Sequence, residues 1–277
     1  MPDRSSAAPR SRSAGLQGRR RLREPGWVPN QHGAWAMLIV PFAVGALDAG
    51  PSWRHLPLLF AWLIGYLAFF AAGLWLRSRG KRRYWPPVRT YGVLTVVLGL
   101  VVIAVQPDVL HWAVVFIPLL AFSLWCSWRR ADRSLLNDGV MVLAACLMTV
   151  VAAGFGERLG EPGTPRLIGL AWLPGADQGR IWALAGLLLA YFAGTTLYVK
   201  TMIRDRADVG RYRLSVIYHT AVCVPAAVAS PWLGALFVAL ALRATVVPKR
   251  WPGLTAATIG FGEVVASLTL ATMLLLA

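Results

Sequence analysis

The densest set of reactive side chains in the sequence is K-T-M-I-R-D-R-A-D-V-G-R-Y-R, Lys200 to Arg213. On a continuing helix Lys200, Arg204 and Asp208 fall at i, i+4 and i+8, and Asp205 and Asp208 are i, i+3 neighbours on one face. Two carboxylates so placed share a Mg2+ ion bridged to substrate phosphates, the one cofactor the pattern suggests, while Arg204 and Arg211 hold phosphate oxygens. The plainer reading is a set of local ion pairs at a membrane surface, worth little.

Other polar residues interrupt apolar sequence. In P-N-Q-H-G-A-W-A-M-L, Pro29 to Leu38, the side chains of Asn30, Gln31 and His32 stand where an apolar run begins. Asn137, Asp138, His219 and Glu263 lie in or beside such runs. Glu263 is flanked by Gly260, Phe261, Gly262, Val264 and Val265, so its partner must come from another helix, with Lys200 or His219 the obvious choice. Each residue also has a structural explanation. Asn137 or Asp138 caps a helix, Lys200 snorkels, and either histidine packs as a satisfied core residue.

The elements that position these groups follow from composition. At 57% hydrophobic and 14% charged, the chain is far more apolar than a soluble domain and is read as an all-α polytopic membrane protein. Nine apolar segments approach the roughly 20 residues a bilayer core requires: 32–48, 55–76, 89–106, 110–128, 135–155, 181–202, 214–230, 232–247 and 256–277. Pro41 and Pro225 predict kinks. Residues 27–277 thus form a nine-helix transmembrane domain, preceded by a disordered basic cytoplasmic tail over 1–26. That tail lacks the apolar core of a secretory signal, and its composition also fits an organelle transit peptide. Cys126, Cys146 and Cys223 show no disulfide or zinc spacing. The net charge of +16 has no soluble basic domain to carry it, which excludes nucleic acid.

Orientation comes from lysine and arginine. Of the 28, 24 lie in the tail and in alternate connections, 77–89, 129–133, 200–213 and 243–250; the exceptions are Arg54, Arg158, Arg166 and Arg180. The bias predicts an odd number of spans in the plasma membrane, N-terminus cytoplasmic and C-terminus outside, with 156–180 the long external loop. The polar residues then share the cytoplasmic half. Ionisable groups at membrane depth cost several kcal/mol unless paired or wet, so one inward-opening, water-filled pocket is expected, lined by Asn30, Gln31, His32, Asn137, Asp138, Lys200, His219 and Glu263.

Pro29–Leu38 closely resembles the start of the YwiC-like family of bacterial integral membrane proteins, a likeness that extends over most of the apolar chain and implies no particular activity. The segment I-R-D-R-A-D-V-G-R-Y-R-L-S-V, Ile203 to Val216, more distantly resembles the second aspartate-rich motif of UbiA-type prenyltransferases, with Asp205, Asp208, Gly210, Arg211 and Arg213 in matching places. That resemblance implies a UbiA-like helical bundle with a cytoplasmic-side pocket. The family's first N-D-x-x-D motif, at the end of helix 2, has no counterpart in Gly73–Arg83, which is rich in basic residues and lacks a carboxylate. Phosphate would then be held directly by Arg77, Arg79, Lys81, Arg82 and Arg83.

The expected function is binding, and in an enzymatic version transfer, of a prenyl diphosphate or similar anionic membrane lipid. In that version Asp205 and Asp208 hold Mg2+ or orient the diphosphate, and the 77–83 arginines and Lys200 stabilise the departing pyrophosphate. Glu263 or His219 positions the acceptor. Two other classes stay open: a small-solute or ion transporter, although the two halves show no repeat, and a non-catalytic scaffold whose basic loops hold anionic lipid.

Overall fold

The computed structural model describes residues 26–29, 32–157, 179–206 and 208–276. Asn30, Gln31, the side chain of His32, nearly all of the basic tail and most of the 156–180 loop lie outside the described residues. Among the described residues nine α-helices follow in order: α1 His32–Asp48, α2 His55–Arg77, α3 Trp85–Val105, α4 Ala113–Trp128, α5 Leu135–Ala153, α6 Gly179–Ile203, α7 Val209–Ala229, α8 Pro231–Arg250 and α9 Ala256–Leu276. Short 3-10 turns at Arg82–Tyr84 and Pro107–Trp112 precede α3 and α4. Among the described residues there is no strand, and seven helical segments are long and apolar enough to cross a membrane.

The two that fall short have distinct reasons. At 17 residues α1 is about 25 Å long, less than a hydrocarbon core. It packs against α2, α5, α6 and α9, and Leu38, Val40, Phe42, Val44 and Ala46 are all buried, so protein shields it from lipid. The first turns of α7 carry Arg211 and Arg213, which lower its hydropathy. Two boundaries also differ from the sequence reading. Helix α3 starts at Trp85 rather than 89 because Pro86 and Pro87 fit a first helical turn. Helix α7 starts at Val209 rather than 214 because the Asp208 carboxylate accepts the Arg211 N–H and caps it.

The outside of the bundle is apolar. Val96, Leu100, Val114, Ile117, Val224, Val228, Phe261 and Leu276 are all more than half exposed, a surface suited to lipid and not to water. Inside, α1 and α5 approach closely: a Cβ on Gly45 would lie 2.0 Å from the Thr149 carbonyl oxygen. Gly45→Ala is therefore expected to destabilise the protein by about 1–3 kcal/mol, read as a lower melting temperature in detergent. Gly92→Ala on α3, where nothing lies within 4 Å, should melt at or slightly above the parent.

Cross-helix bonds show the alternation of the helices. At one end, Arg180 at the start of α6 pairs with Asp48 at the end of α1 (2.8 Å) and donates to the Leu274 carbonyl at the end of α9 (3.3 Å). His55 of α2 joins the Ala152 carbonyl of α5 at that same end (2.9 Å). At the opposite end Arg77 of α2 meets Asp132 of the α4–α5 turn (2.6 Å), and Lys200 of α6 meets Asp138 of α5. The start of α1 and the end of α9 thus lie on opposite faces of the bundle.

Candidate functional site

The face that holds Arg77, Asp138 and Lys200 collects most of the described basic residues. Helices α2 and α4 end there in the same way. The Arg79 and Gly80 N–H groups donate to the Leu76 and Trp75 carbonyls, and the Arg130 and Ala131 N–H groups to those of Ser127 and Cys126. In both, the residue just past the helix takes a left-handed conformation that usually calls for glycine. Here it is arginine each time, Arg79 and Arg130, both at φ 59°. The Arg77–Asp132 pair ties these two ends together. Arg79, Lys81, Arg82, Arg83, Arg129 and Arg130 are all exposed around it, and none pairs with a carboxylate among the described residues. Trp85, Trp125 and Trp128 are half exposed beside them, as at a membrane interface.

Arg77 is occupied by Asp132 and so leaves the phosphate-holding set expected from the sequence. Asn137 is buried and structural: its amide oxygen accepts from Ser123 (2.6 Å) and its amide nitrogen donates to the Asp132 carbonyl (2.9 Å). The cap of α5 is Ser134, not Asn137 or Asp138. Lys200 does not snorkel; it pairs with Asp138 and donates to the Arg133 carbonyl (2.7 Å).

The 200–213 segment is not one helix. Helix α6 stops at Ile203, so Lys200, Arg204 and Asp208 do not share a helical face, and Arg206 donates back to the Met202 carbonyl to close the α6 end. Asp205 and Asp208 both stand 3.7 Å from the Arg211 guanidinium, and Asp208 also caps α7. Two carboxylates with an arginine between them, one also committed to a helix cap, do not fit a Mg2+ site in this arrangement. Arg204 is exposed at the same face.

The partner of Glu263 is neither Lys200 nor His219. Arg243 of α8 places Nη1 2.8 Å from Oε1, off the N–H line, so the contact is an ion pair and not an aligned hydrogen bond. Thr195 donates to Oε2 (2.9 Å), and the Tyr191 hydroxyl lies within reach of the Glu263 carbonyl (3.1 Å) and Oε2 (3.3 Å). The Arg243 guanidinium also covers the Tyr198 ring at 4.3 Å. Tyr191, Thr195 and Tyr198 recur at i, i+4 and i+7, one face of α6. Glu263 lies seven residues into α9 and Arg243 seven from the end of α8, each about 10 Å below the basic face. His219 of α7 is buried nearby, its Nδ1 bonded to the Ser215 carbonyl at 2.7 Å.

The expected single pocket is thus divided. Among the described residues Asp138–Lys200 and Glu263–Arg243 form separate ion pairs, Asn137 and His219 are held by their own hydrogen bonds, and the gap beside Arg243 is too narrow for a water molecule.

Comparison with known proteins places this arrangement in a family. A family model described as YwiC-like protein matches residues 28–153, helices α1 to α5. The uncharacterized protein YwiC of Bacillus subtilis is 32% identical over 241 residues, 86% of this chain and 92% of its own. The chain belongs to the YwiC-like family. An uncharacterized protein of Haemophilus influenzae is 27% identical over 224 residues, 80% of this chain and 87% of its own. Both likenesses are longer than the YwiC-like match and so continue past α5. No solved structure matches the chain, and the UbiA-type architecture rests on the Ile203–Val216 segment alone.

Within this YwiC-like bundle the sequence reading missed Arg243, counted there only as a loop charge, and Arg129 and Arg130. Equal distance of Arg243 and Glu263 from the same face was the available signal.

Proposed function

We propose that the protein binds a phosphate-bearing anionic lipid, of the prenyl diphosphate class, at its basic face, and that this face is cytoplasmic. The observation that carries the reading is the pair of left-handed arginines, Arg79 and Arg130. A side chain with a Cβ costs roughly 1–2 kcal/mol in that conformation, and strain kept where glycine would relieve it points to a role for the side chain. Both arginines stand at the ends of neighbouring helices beside exposed tryptophans, a combination that supports a place at the membrane interface. Guanidinium groups take phosphate oxygens two at a time, which suits a diphosphate. With Asp205 and Asp208 both drawn to Arg211, phosphate is held by cations of the protein and not through a metal.

Glycine at both positions separates function from fold. Arg79→Gly with Arg130→Gly should melt higher than the parent, by up to about 1 kcal/mol for each site, yet carry less phosphate-bearing lipid through purification, measured by mass spectrometry of the extracted lipids. Unchanged lipid content would overturn the reading. The orientation is tested separately: a phosphatase fused after α9 should be active outside the membrane, and a fluorescent protein that folds only in the cytoplasm should be dark there.

A second reading, a small-solute or ion transporter, is favoured by one observation, the Arg243–Glu263 pair about 10 Å inside the bundle.

A further inference from the structure

Arg243 has more donors than acceptors. Nη1 faces Glu263, but Nε and Nη2 are buried with no hydrogen-bond partner in the protein. Those two nitrogens form the side-on fork that takes a carboxylate by two parallel bonds. Buried donors left unpaired are costly, and in a membrane span the cost argues for a ligand.

The surroundings define that ligand's shape. Arg243, Thr195 and His219 line one narrow gap between α6, α7 and α8, whose remaining wall includes Val222, Phe237 and Leu240. A charged end meets the arginine and a short apolar end meets the aliphatic and aromatic wall. The gap is closed in this structure, so a ligand enters only when these helices part. Gly194 marks the place where α6 and α7 touch: a Cβ there would sit 3.0 Å from His219 Nε2.

Charge balance adds a proton. Arg243 and Glu263 together are neutral, so an added carboxylate leaves the site at minus one, at a depth where net charge is expensive. With Nδ1–H donated to the Ser215 carbonyl, His219 presents a bare Nε2 toward α6. The groups around it are Tyr191 on α6, Tyr218 and Cys223 on its own helix, Arg243 on α8 and, through Arg243, Glu263 on α9. Tyrosines and thiols are uncharged near neutrality, and both Glu263 oxygens already face donors, Oε1 the Arg243 Nη1 and Oε2 the Thr195 hydroxyl, which leaves His219 as the group that takes up a proton.

We infer that this gap binds a short-chain monocarboxylate on the Nε–Nη2 edge of Arg243, together with one proton on His219 Nε2. The site is independent of lipid binding at the basic face. One proton bound per anion makes affinity fall tenfold for each pH unit above the titration of free His219, and flatten below it.

The test is the melting temperature of the full-length purified protein with propionate, at constant ionic strength against chloride, between pH 5.5 and 8. Propionate should stabilise more at low pH, chloride should not, and Arg243→Gln with Glu263→Gln, which keeps the pair neutral, should remove the effect. His219→Gln should fold and retain weaker, pH-independent stabilisation. The inference is overturned if propionate gives no shift at any pH, if chloride does as well, if the double variant still responds, or if His219→Gln keeps the pH slope.

Discussion

Glu263→Leu should destabilise the protein by about 3 kcal/mol, a fall in melting temperature on the order of 5–10 °C. Leucine fills the volume but leaves the Arg243 guanidinium about 10 Å inside the bundle with no counter-charge, and strands the Thr195 and Tyr191 hydroxyls. The side chain of Glu263 is only 6% exposed, and that of Arg243 22%, so water screens the loss little. Glu263→Gln keeps acceptors for Thr195 and Tyr191 and should cost markedly less. Replacing both charges, Arg243→Leu with Glu263→Leu, should recover much of the lost stability, because removing a buried pair whole is far cheaper than breaking it. Lys200→Met should not change the effect of Glu263→Leu, since Lys200 belongs to Asp138. A Glu263→Leu protein that melts like the parent would show that the pair contributes nothing.

How far the sequence speaks depends on which physical signal a feature leaves. The nine helices of the described residues are legible because each apolar run is bounded by prolines, glycines or charges, and the alternation of their ends follows from counting. Pro86 and Pro87 and the Asp208 cap moved two starts by four or five residues, since a helix begins in polar sequence when its first turn is capped or proline-fitted. Pairing was not legible. Which residue meets Glu263 is decided by the rotation of α6, α8 and α9 about their axes, and Lys200 lies nearer the end of its helix than Arg243 does. The break after Ile203 was hidden as well, because Lys200–Arg213 contains no proline and its single glycine, Gly210, falls inside α7. Left-handed arginines carry no sequence signal at all, because glycine is what that conformation ordinarily selects.

The basic face can be tested most directly by the stabilisation that an isoprenoid diphosphate gives the purified protein, compared with a variant in which Arg79, Lys81, Arg82 and Arg83 are all glutamine. These side chains are exposed and make no ion pair among the described residues, so the variant should fold normally. Each cation near an anionic membrane surface contributes about 1 kcal/mol, so four together correspond to a loss of roughly a thousandfold in affinity. In the parent the stabilisation should weaken as salt rises, because a Debye length of about 8–10 Å shrinks with it, and EDTA should leave it in place. The parent should show a clear thermal shift that the fourfold variant loses. A parent that shows no shift with any isoprenoid diphosphate, or a variant that keeps it, would contradict binding at this face.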